Sequence, residues 1–339
     1  MAAIGQAAKR GVLIKSGEAL ETMGRVNFVV FDKTGTLTFG RLEVSDVIPA
    51  EAASSADELL LIAALAESQS EHPIGKAIAH AAARKGMNLP ALPGFEMIPG
   101  QGVSADWNGK PILCGNPRWL AAHDVIVPES AQNRLDEFRR QGKAVVTVAV
   151  DGRFAGIVAL SDAVRPVAAG VVEQLKKLGV EVVLLTGDYQ RTADYFASVA
   201  GIAEVRAELL PERKVEEIAR LRSLGKTVCM IGDGVNDAPA IKTADVGAAM
   251  GVMGSDIAVE AADVALMGDN LEHIPYLKRL ARAAIFSIHF NISLAMLINV
   301  AAIVLSVLGY LTPVWGALVH NGGSILVILN AAILYDRKI

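Results

Sequence analysis

The chain of 339 residues contains one long segment without a single charged side chain. No Asp, Glu, Lys or Arg occurs in residues 283–335. A helix needs about 20 apolar residues to cross a bilayer, so this run of about fifty residues is long enough for two crossings. We therefore expect a C-terminal two-helix transmembrane hairpin over residues 283–335, with spans at 285–308 and 313–334, in contact with membrane lipid.

Basic residues flank this segment on both sides. Lys278, Arg279 and Arg282 precede it, and Arg337 and Lys338 follow it. Positively charged residues near the ends of membrane helices mark the cytoplasmic side. The pattern predicts a multi-pass protein of the plasma membrane whose soluble domains lie in the cytoplasm.

The composition of the rest of the chain excludes several classes of protein. The net charge is −4 and aromatic residues make up 5% of the sequence, which gives no basic or base-stacking surface for a nucleic-acid partner. Cys114 and Cys229 lie far apart, so neither a disulfide framework nor a zinc knuckle is indicated. The hydrophobic content of 52% excludes a disordered chain.

Three short apolar segments each end just before polar residues that could do chemistry. Residues 27–31 precede Asp32, residues 180–185 precede Thr186, and residues 227–231 end just before Gly232 and Asp233. Such runs are typical of strands buried on both faces of a parallel sheet, and ligands bind at the carboxyl ends of those strands. Helical patterns separate the segments. We predict an α/β doubly wound parallel sheet built from residues 1–40 and 160–270.

The pattern of apolar and polar residues changes between residues 1–40 and residues 160–270, the two segments predicted to form the sheet. Residues 59–66 and 75–85 have a helical pattern, and four strand-like runs follow. The dipeptides Asn108-Gly109 and Asp151-Gly152 separate those runs in pairs, as expected for tight β-hairpins. Residues 41–159 are therefore predicted to form an inserted α+β domain.

The strand ends offer the groups needed for phosphoryl transfer. A carboxylate such as Asp32 can act as a nucleophile and form an acyl phosphate. Asp233 and Asp237 offer hard oxygen ligands for Mg²⁺, while Thr186 and Lys214 can bind phosphate oxygens. A lone aspartate at a strand end is more often a helix cap, so the prediction depends on these groups recurring together.

Three segments carry a resemblance to the P-type ATPases, whose phosphorylation domain has the haloacid dehalogenase fold. They are Asp32-Lys-Thr-Gly-Thr-Leu-Thr38, Thr186-Gly-Asp188 and Gly232-Asp-Gly-Val-Asn-Asp-Ala-Pro-Ala240. The resemblance implies phosphorylation of an aspartate by ATP with Mg²⁺ as cofactor. It assigns the roles as follows: Asp32 as the phosphorylated residue, Thr34 with Asp32, Asp233 and Asp237 at the Mg²⁺ ion, and Thr186 and Lys214 at the phosphate.

The inserted domain resembles the nucleotide-binding domain of the heavy-metal-transporting branch of that family. Ser70-Glu-His-Pro73, with Glu67 just before it, carries the resemblance, together with the glycines Gly100, Gly102 and Gly115. His72 could stack on adenine, Glu67 could accept from its exocyclic amine, and the glycines would let the backbone approach the nucleotide. The alternative for His72-Pro73 alone is the start of a helix.

The resemblance also implies that the last two membrane helices line the path of the transported ion. It places His320 and Asn299 at that site, where imidazole nitrogen suits divalent Co, Ni, Zn and Fe better than Cu(I). The segment from His320 to Ser324 looks closest to cobalt-type or manganese-type pumps. The alternative is that His320 caps the short loop between the two helices.

The resulting expectation is an ATPase that exports a divalent transition-metal ion through an aspartyl phosphate. The actuator domain and upstream helices of the family have no counterpart in this sequence, so we expect an incomplete pump whose N-terminal half is a partner chain or is missing. Two alternatives remain: a membrane-anchored haloacid dehalogenase-type phosphatase, and a subunit that only binds nucleotide.

Overall fold

A computed structural model describes residues 2–50, 52–233, 237–251, 260–333 and 335. Gly234, Val235 and Asn236 of the predicted magnesium motif, and the flanking Arg337 and Lys338, lie outside the described residues. The strands are β1 (Val12–Ile14), β2 (Phe28–Asp32), β3 (Thr38–Pro49), β4 (Glu96–Ile98), β5 (Gly102–Trp107), β6 (Lys110–Gly115), β7 (Ala144–Val150), β8 (Arg153–Val164), β9 (Glu181–Leu185), β10 (Glu204–Arg206), β11 (Val228–Gly232), β12 (Val246–Met250) and β13 (Val264–Leu266). The helices are α1 (Ala2–Lys9), α2 (Gly17–Arg25), α3 (Ala56–Ala66), α4 (Pro73–Arg84), α5 (Pro117–Ala121), α6 (Glu129–Arg140), α7 (Ala168–Lys177), α8 (Gln190–Ala200), α9 (Pro211–Ser223), α10 (Ala238–Thr243), α11 (His273–Val307) and α12 (Pro313–Ile333).

The chain divides into two compact units. The first comprises Met1–Leu37, Pro166–Asp188 and Ala197–Ile339, and the second comprises Thr38–Arg165 and Tyr189–Phe196. The expected boundaries, after residue 40 and before residue 160, fall inside the long antiparallel pair β3–β8. Both strands belong to the second unit because their backbone hydrogen bonds continue to the position where Thr38 pairs with Val164.

The first unit is built on a sheet with the strand order β1-β13-β12-β11-β2-β9-β10 over the described residues. Its pairs are parallel except for the edge pair β1–β13. Strand β2 is central and all five of its residues are buried, as its continuous apolar sequence predicts. The α/β doubly wound sheet expected from the sequence is thereby confirmed.

The second unit is an antiparallel sheet with the order β3-β8-β7-β6-β5-β4. Helices α3 and α4 pack on one face around Leu59, Ile62 and Ile78, and α5 and α6 contribute Trp119 and Phe138 to the core on the other. Asn108 and Asp151 have positive φ angles and each is followed by a glycine with positive φ, as two-residue hairpin turns require.

Among the residues that the structure describes, two helices are long and apolar enough to cross a membrane, namely α11 and the greater part of α12. Helix α11 begins ahead of the charge-free segment and continues into it without a break. Its first three turns pack inside the first unit, where Leu277 and Leu280 are buried, whereas Phe286 is 69% exposed. The change marks the point at which α11 leaves the soluble core.

The basic residues before the membrane segment hold α11 to the first unit. Lys278 is only 1% exposed, and its Nζ donates to the carbonyl oxygens of Met23, Gly24 and Val26 at distances of 3.1, 2.7 and 2.5 Å. These carbonyls end α2, where helical backbone groups lack partners of their own. Arg282 likewise donates to the carbonyl of Leu178 at 2.7 Å.

Candidate functional site

The site of the first unit lies at the carboxyl end of its central strand. Asp32 is the last residue of β2 and is 5% exposed. The Nζ of Lys214, from the first turn of α9, lies 2.5 Å from Asp32 Oδ1 and 2.7 Å from Asp237 Oδ1. Asp237 directly precedes α10 and is 2% exposed. Three predicted residues are thus in direct contact, with one lysine bridging two carboxylates.

Burial governs the electrostatics of this cluster. The pKa of Asp32 is raised from 3.8 to about 7, first by burial and then by the negative charge of Asp237, against the lowering effect of Lys214. Burial alone would lower the pKa of Lys214, but the charges of Asp32 and Asp237 outweigh it and raise that pKa. When all three side chains are ionised, Asp32, Lys214 and Asp237 together carry a net negative charge in this buried site.

The turn after β2 brings a third carboxylate to the site. Gly35 has a φ angle of +71°, and a Cβ at this position would lie 2.7 Å from Asp233 Oδ2. Only glycine fits that close approach together with that backbone conformation. Thr34, just before it, is exposed. Lys33 forms an ion pair of 2.6 Å with Asp188, which holds the turn to the segment after β9.

Thr186 directly follows β9, the strand that pairs with β2. Leu185 pairs in register with Asp32, so Thr186 follows immediately along the sheet edge. Its side chain is buried and its Oγ1 accepts a 3.1 Å hydrogen bond from the backbone N–H of Asp188. The hydroxyl proton remains for donation to an acceptor.

The donor set of this site fits a magnesium ion. Mg²⁺ is usually held by one or two carboxylates together with substrate phosphate oxygens and water. In the part of the chain that the structure describes, no group of three acidic, His or Cys side chains forms a metal cage. At this site the Nζ of Lys214 lies between the carboxylates of Asp32 and Asp237. Burial and then the charge of Asp237 raise the pKa of Asp32, and a divalent cation would offset that negative charge. Asp32, Asp233 and Asp237 with Thr34 are the residues that would hold it.

The second unit contains a cavity of about 250 Å³ beside β5 and β6. It brings together every residue expected at the nucleotide: the lining includes Glu67, His72, Gly100, Gly102 and Gly115. The lining is otherwise largely apolar, with a few polar groups, as is typical of small-molecule sites.

Glu67 is the buried charged group of this cavity. It is 6% exposed and lines the cavity beside Ser70 and Cys114. Burial raises the pKa of Glu67, and the polar groups of Ser70 and Cys114 and the nearby His72 lower that pKa in part. A Cβ on Gly75 would lie 2.3 Å from Glu67 Oε2, so the carboxylate occupies space that only glycine leaves open.

Two of the predicted glycines pack closely against each other as well as lining the cavity. Gly102 and Gly115 face each other across β5–β6, and a Cβ on either would lie 2.8 Å from the Cα of the other. The same Cβ atoms would also lie 2.5 and 2.7 Å from Trp119 Cδ1. Close packing of protein atoms therefore explains both glycines. Gly100 differs, because it has a φ of +76° and open space where a Cβ would stand.

His72 begins a helix and also lines the cavity. Its Nδ1 accepts a 3.2 Å hydrogen bond from the N–H of Ile74, so it caps the start of α4, with Pro73 as the first helical residue. It is also exposed and lines the cavity. The helix cap holds the ring in place at the cavity wall.

The membrane helices contain a second cavity, of about 230 Å³. Asn299 and His320 line it, with 3.3 Å between Asn299 Oδ1 and His320 Nδ1. His320 lies within α12 and not in the loop, so the alternative that it caps the loop is wrong.

Some polar residues near these sites were not predicted from the sequence. Ser324 lines the membrane cavity, and Asn330 donates from Nδ2 to Asn291 Oδ1 at 2.6 Å between α12 and α11. Their signal is a polar residue inside an otherwise apolar span, which is a functional candidate by default. In the second unit, Ser70 and Cys114 line the same cavity as Glu67 and were likewise not predicted there.

Comparison with known proteins agrees with this geometry. The haloacid dehalogenase-like hydrolase family matches residues 26–245. The manganese-exporting P-type ATPase of Mycobacterium tuberculosis is 39% identical over 339 residues, which is 100% of this chain and 47% of that protein. The copper-exporting P-type ATPase of Bacillus subtilis is 41% identical over 338 residues, covering 100% of this chain and 42% of that protein.

A solved structure extends the similarity to three dimensions. The crystal structure of a zinc-transporting PIB-type ATPase in the E2.Pi state superposes with a TM-score of 0.90 at 37% identity, covering 98% of this chain and 54% of that one. The chain spans about half the length of the relatives it matches. It belongs to the haloacid dehalogenase-like hydrolase family, and over its own full length it is similar to heavy-metal-transporting P-type ATPases.

Proposed function

We propose that this chain carries the ATP-hydrolysing part and two membrane helices of a P-type ATPase that exports a divalent transition-metal ion. The contact of Asp32 with Lys214 at the end of β2 carries this proposal, because it joins a nucleophile to a cation that can bind phosphate. The cavity around Glu67 and His72 supplies a site for ATP. The soluble units would lie in the cytoplasm and the helices in the plasma membrane.

The reaction follows from the groups at the site. An oxygen of the Asp32 carboxylate attacks the γ-phosphorus of ATP, a new O–P bond forms, and the bond to the ADP oxygen breaks. The ammonium group of Lys214 binds the transferred phosphoryl group by its positive charge. The hydroxyl group of Thr186 donates a hydrogen bond to a phosphate oxygen. When bound, Mg²⁺ supplies positive charge that offsets the negative charge of the phosphates.

The identity of the ion is proposed from the donors in the membrane cavity. The relatives are named for manganese, copper and zinc, so the similarity alone selects none of them. Asn299 offers an amide oxygen and His320 an imidazole nitrogen. This harder donor pair favours a divalent ion over Cu(I), which prefers sulfur ligands.

Phosphorylation tests the first part of the proposal. The purified chain should incorporate label from γ-labelled ATP with Mg²⁺, and hydroxylamine should remove the label, since it cleaves acyl phosphates. The label should vanish in Asp32→Asn and persist in Asp136→Asn, a matched change on the exposed face of α6. Label that survives in Asp32→Asn would refute the proposal, as would an unlabelled chain that is folded and binds ATP.

Cobalt binding tests the second part. Co²⁺ added to the chain in lipid nanodiscs should give d–d absorption bands that His320→Ala removes. His289→Ala provides the matched control, because it alters another histidine in the membrane hairpin. Equal spectra for wild type and His320→Ala would exclude His320 as a ligand.

A further inference from the structure

One side of α11 changes from basic to aromatic where the helix leaves the first unit. Arg282, Phe286 and Phe290 follow each other at intervals of four residues, so they lie on the same side of the helix. Arg282 is exposed, Phe286 is 69% exposed and Phe290 is 49% exposed. The two rings stack with their centroids 6.4 Å apart. This side of α11 therefore presents a cation and, beyond it, two apolar rings.

The end of a neighbouring helix holds Arg282 in place. Its Nη2 donates to the carbonyl oxygen of Leu178 at 2.7 Å, and Leu178 is the residue that ends α7. Carbonyl groups at a helix end lack helical partners and carry partial negative charge, which a guanidinium offsets. A guanidinium has more N–H donors than this one contact uses, so it can bind a second acceptor at the same time.

Further positive charge lies beside this contact. Lys176 and Lys177 belong to the last turn of α7, directly before Leu178. Lys177 forms an ion pair of 2.6 Å with Glu173, but the two side chains are 72% and 66% exposed, and such surface pairs are weak. With two lysines and Arg282 against this one carboxylate, the surface where α11 leaves the first unit is positively charged.

The order of these groups matches the structure of an anionic phospholipid, which has its phosphate at the membrane surface and its acyl chains below. At the rise of an α-helix, Phe286 lies about 6 Å and Phe290 about 12 Å beyond Arg282 along the axis. A phosphate bound at Arg282 would thus leave the acyl chain beside the two rings. Guanidinium groups bind phosphate through charge-assisted hydrogen bonds, and basic sites beside the cytoplasmic ends of membrane helices bind anionic head groups.

We propose that Arg282, with Lys176 and Lys177, binds the head group of an anionic phospholipid whose acyl chain lies on Phe286 and Phe290. A zwitterionic lipid has the same phosphate, but its ammonium group cancels the charge, so the site prefers a head group with net negative charge. Each basic residue near the head group should change this preference about fivefold. This lipid site is independent of the proposed ATP hydrolysis and metal export.

Native mass spectrometry of the full chain tests the site. The chain in detergent is mixed with equal amounts of phosphatidylglycerol and phosphatidylcholine that have the same acyl chains, and the retained lipids are counted. The wild type should retain more phosphatidylglycerol. Arg282→Gln should lower the ratio of phosphatidylglycerol to phosphatidylcholine about fivefold. Arg282→Lys keeps the positive charge and should keep most of that ratio.

Two further variants separate the head-group contact from the acyl-chain contact. The double variant Lys176→Gln, Lys177→Gln should lower the ratio while leaving the contact of Arg282 with Leu178 in place. It therefore tests the charge even where Arg282→Gln disturbs the end of α7, which hydrogen exchange in α7 reports. Phe286→Ala removes an apolar contact that both lipids share, so it should lower the retention of both and leave their ratio unchanged.

Arg139→Gln provides the matched control, because Arg139 is an exposed arginine on α6 of the second unit. Its ratio should equal that of the wild type. A wild type without preference, an unchanged ratio in the double lysine variant, or the same loss in Arg139→Gln or Arg282→Lys as in Arg282→Gln would overturn the proposal. Displacement of phosphatidylglycerol by an equal concentration of inorganic phosphate would also overturn it, because the site would then bind a soluble anion.

Discussion

Replacing Asp32 by asparagine should make the first unit more stable, and the gain should depend on pH. Lys214 bridges Asp32 and Asp237, so the three side chains carry an excess negative charge when all are ionised. The amide of asparagine still offers an oxygen to Lys214, and the variant leaves a balanced Lys214–Asp237 pair. The substitution therefore removes the unfavourable charge and keeps the contact.

The magnitude follows from the shift of the Asp32 pKa from 3.8 to about 7. A group whose pKa is raised in the folded state binds its proton more tightly there, so the contribution of Asp32 to stability is fully present below pH 3.8 and is lost as the pH rises through about 7. At about 1.4 kcal/mol per unit, the full shift corresponds to an upper limit of about 4 kcal/mol. Between pH 5 and pH 8 the advantage of Asp32→Asn should grow by about 2 to 3 kcal/mol.

Denaturant-dependent hydrogen exchange of the peptides that contain β2 and β11 measures this difference in the full chain. The experiment is run in a chelator at both pH values, with Asp136→Asn as the control for an exposed aspartate. Adding Mg²⁺ should reduce the advantage, because the cation offsets the same negative charge. An advantage that does not change with pH, or a wild type that is the more stable at pH 8, would show that the Asp32 carboxyl is not held with a raised pKa.

Three further substitutions test other contacts. Gly75→Ala should lower ATP affinity about tenfold or more in a calorimetric titration, because its Cβ would lie 2.3 Å from Glu67 Oε2. Lys278→Met should lower the unfolding free energy of the first unit by about 3 kcal/mol, measured by hydrogen exchange in α2. Lys278→Arg should lower that free energy less, because arginine keeps donors for the buried carbonyls. Asn330→Leu should weaken the α11–α12 contact by about 1 kcal/mol, and a double-mutant cycle with Asn291→Leu in bicelles should show the same energy as coupling.

The positions of the chemical groups along the sheet could be predicted because they follow from strand patterns. Continuous apolar runs identify buried parallel strands, and such strands place the residues after their carboxyl ends at one edge. Asp32 and Thr186 lie together for this reason. The bridge that Lys214 makes could not be derived in the same way, because it depends on where α9 packs against the sheet and a helix pattern does not contain that information.

The glycines and the basic residues show the limit of local patterns more clearly. Gly102 and Gly115 were predicted as backbone contacts for a ligand, and the sequence did not show that each also leaves room for the other and for Trp119. Lys278 was used only as a basic residue that marks the cytoplasmic end of a membrane helix, and it is buried against the end of α2. In each case the partner is distant in sequence, and a single sequence does not show which distant residue fills the space.

The length of α11 has a mechanical consequence. At about 1.5 Å per residue, its 35 residues form a rod of about 50 Å that begins in the soluble core and ends beyond Asn299. Lys278 fastens this rod near one end to the carbonyls just before β2, the strand that carries Asp32. A tilt of about 5° about that fastening would move the far end by about 4 Å, roughly the width of a side chain. A small tilt at the carbonyls that precede β2 would thus become a larger displacement at Asn299, at the far end of the same helix.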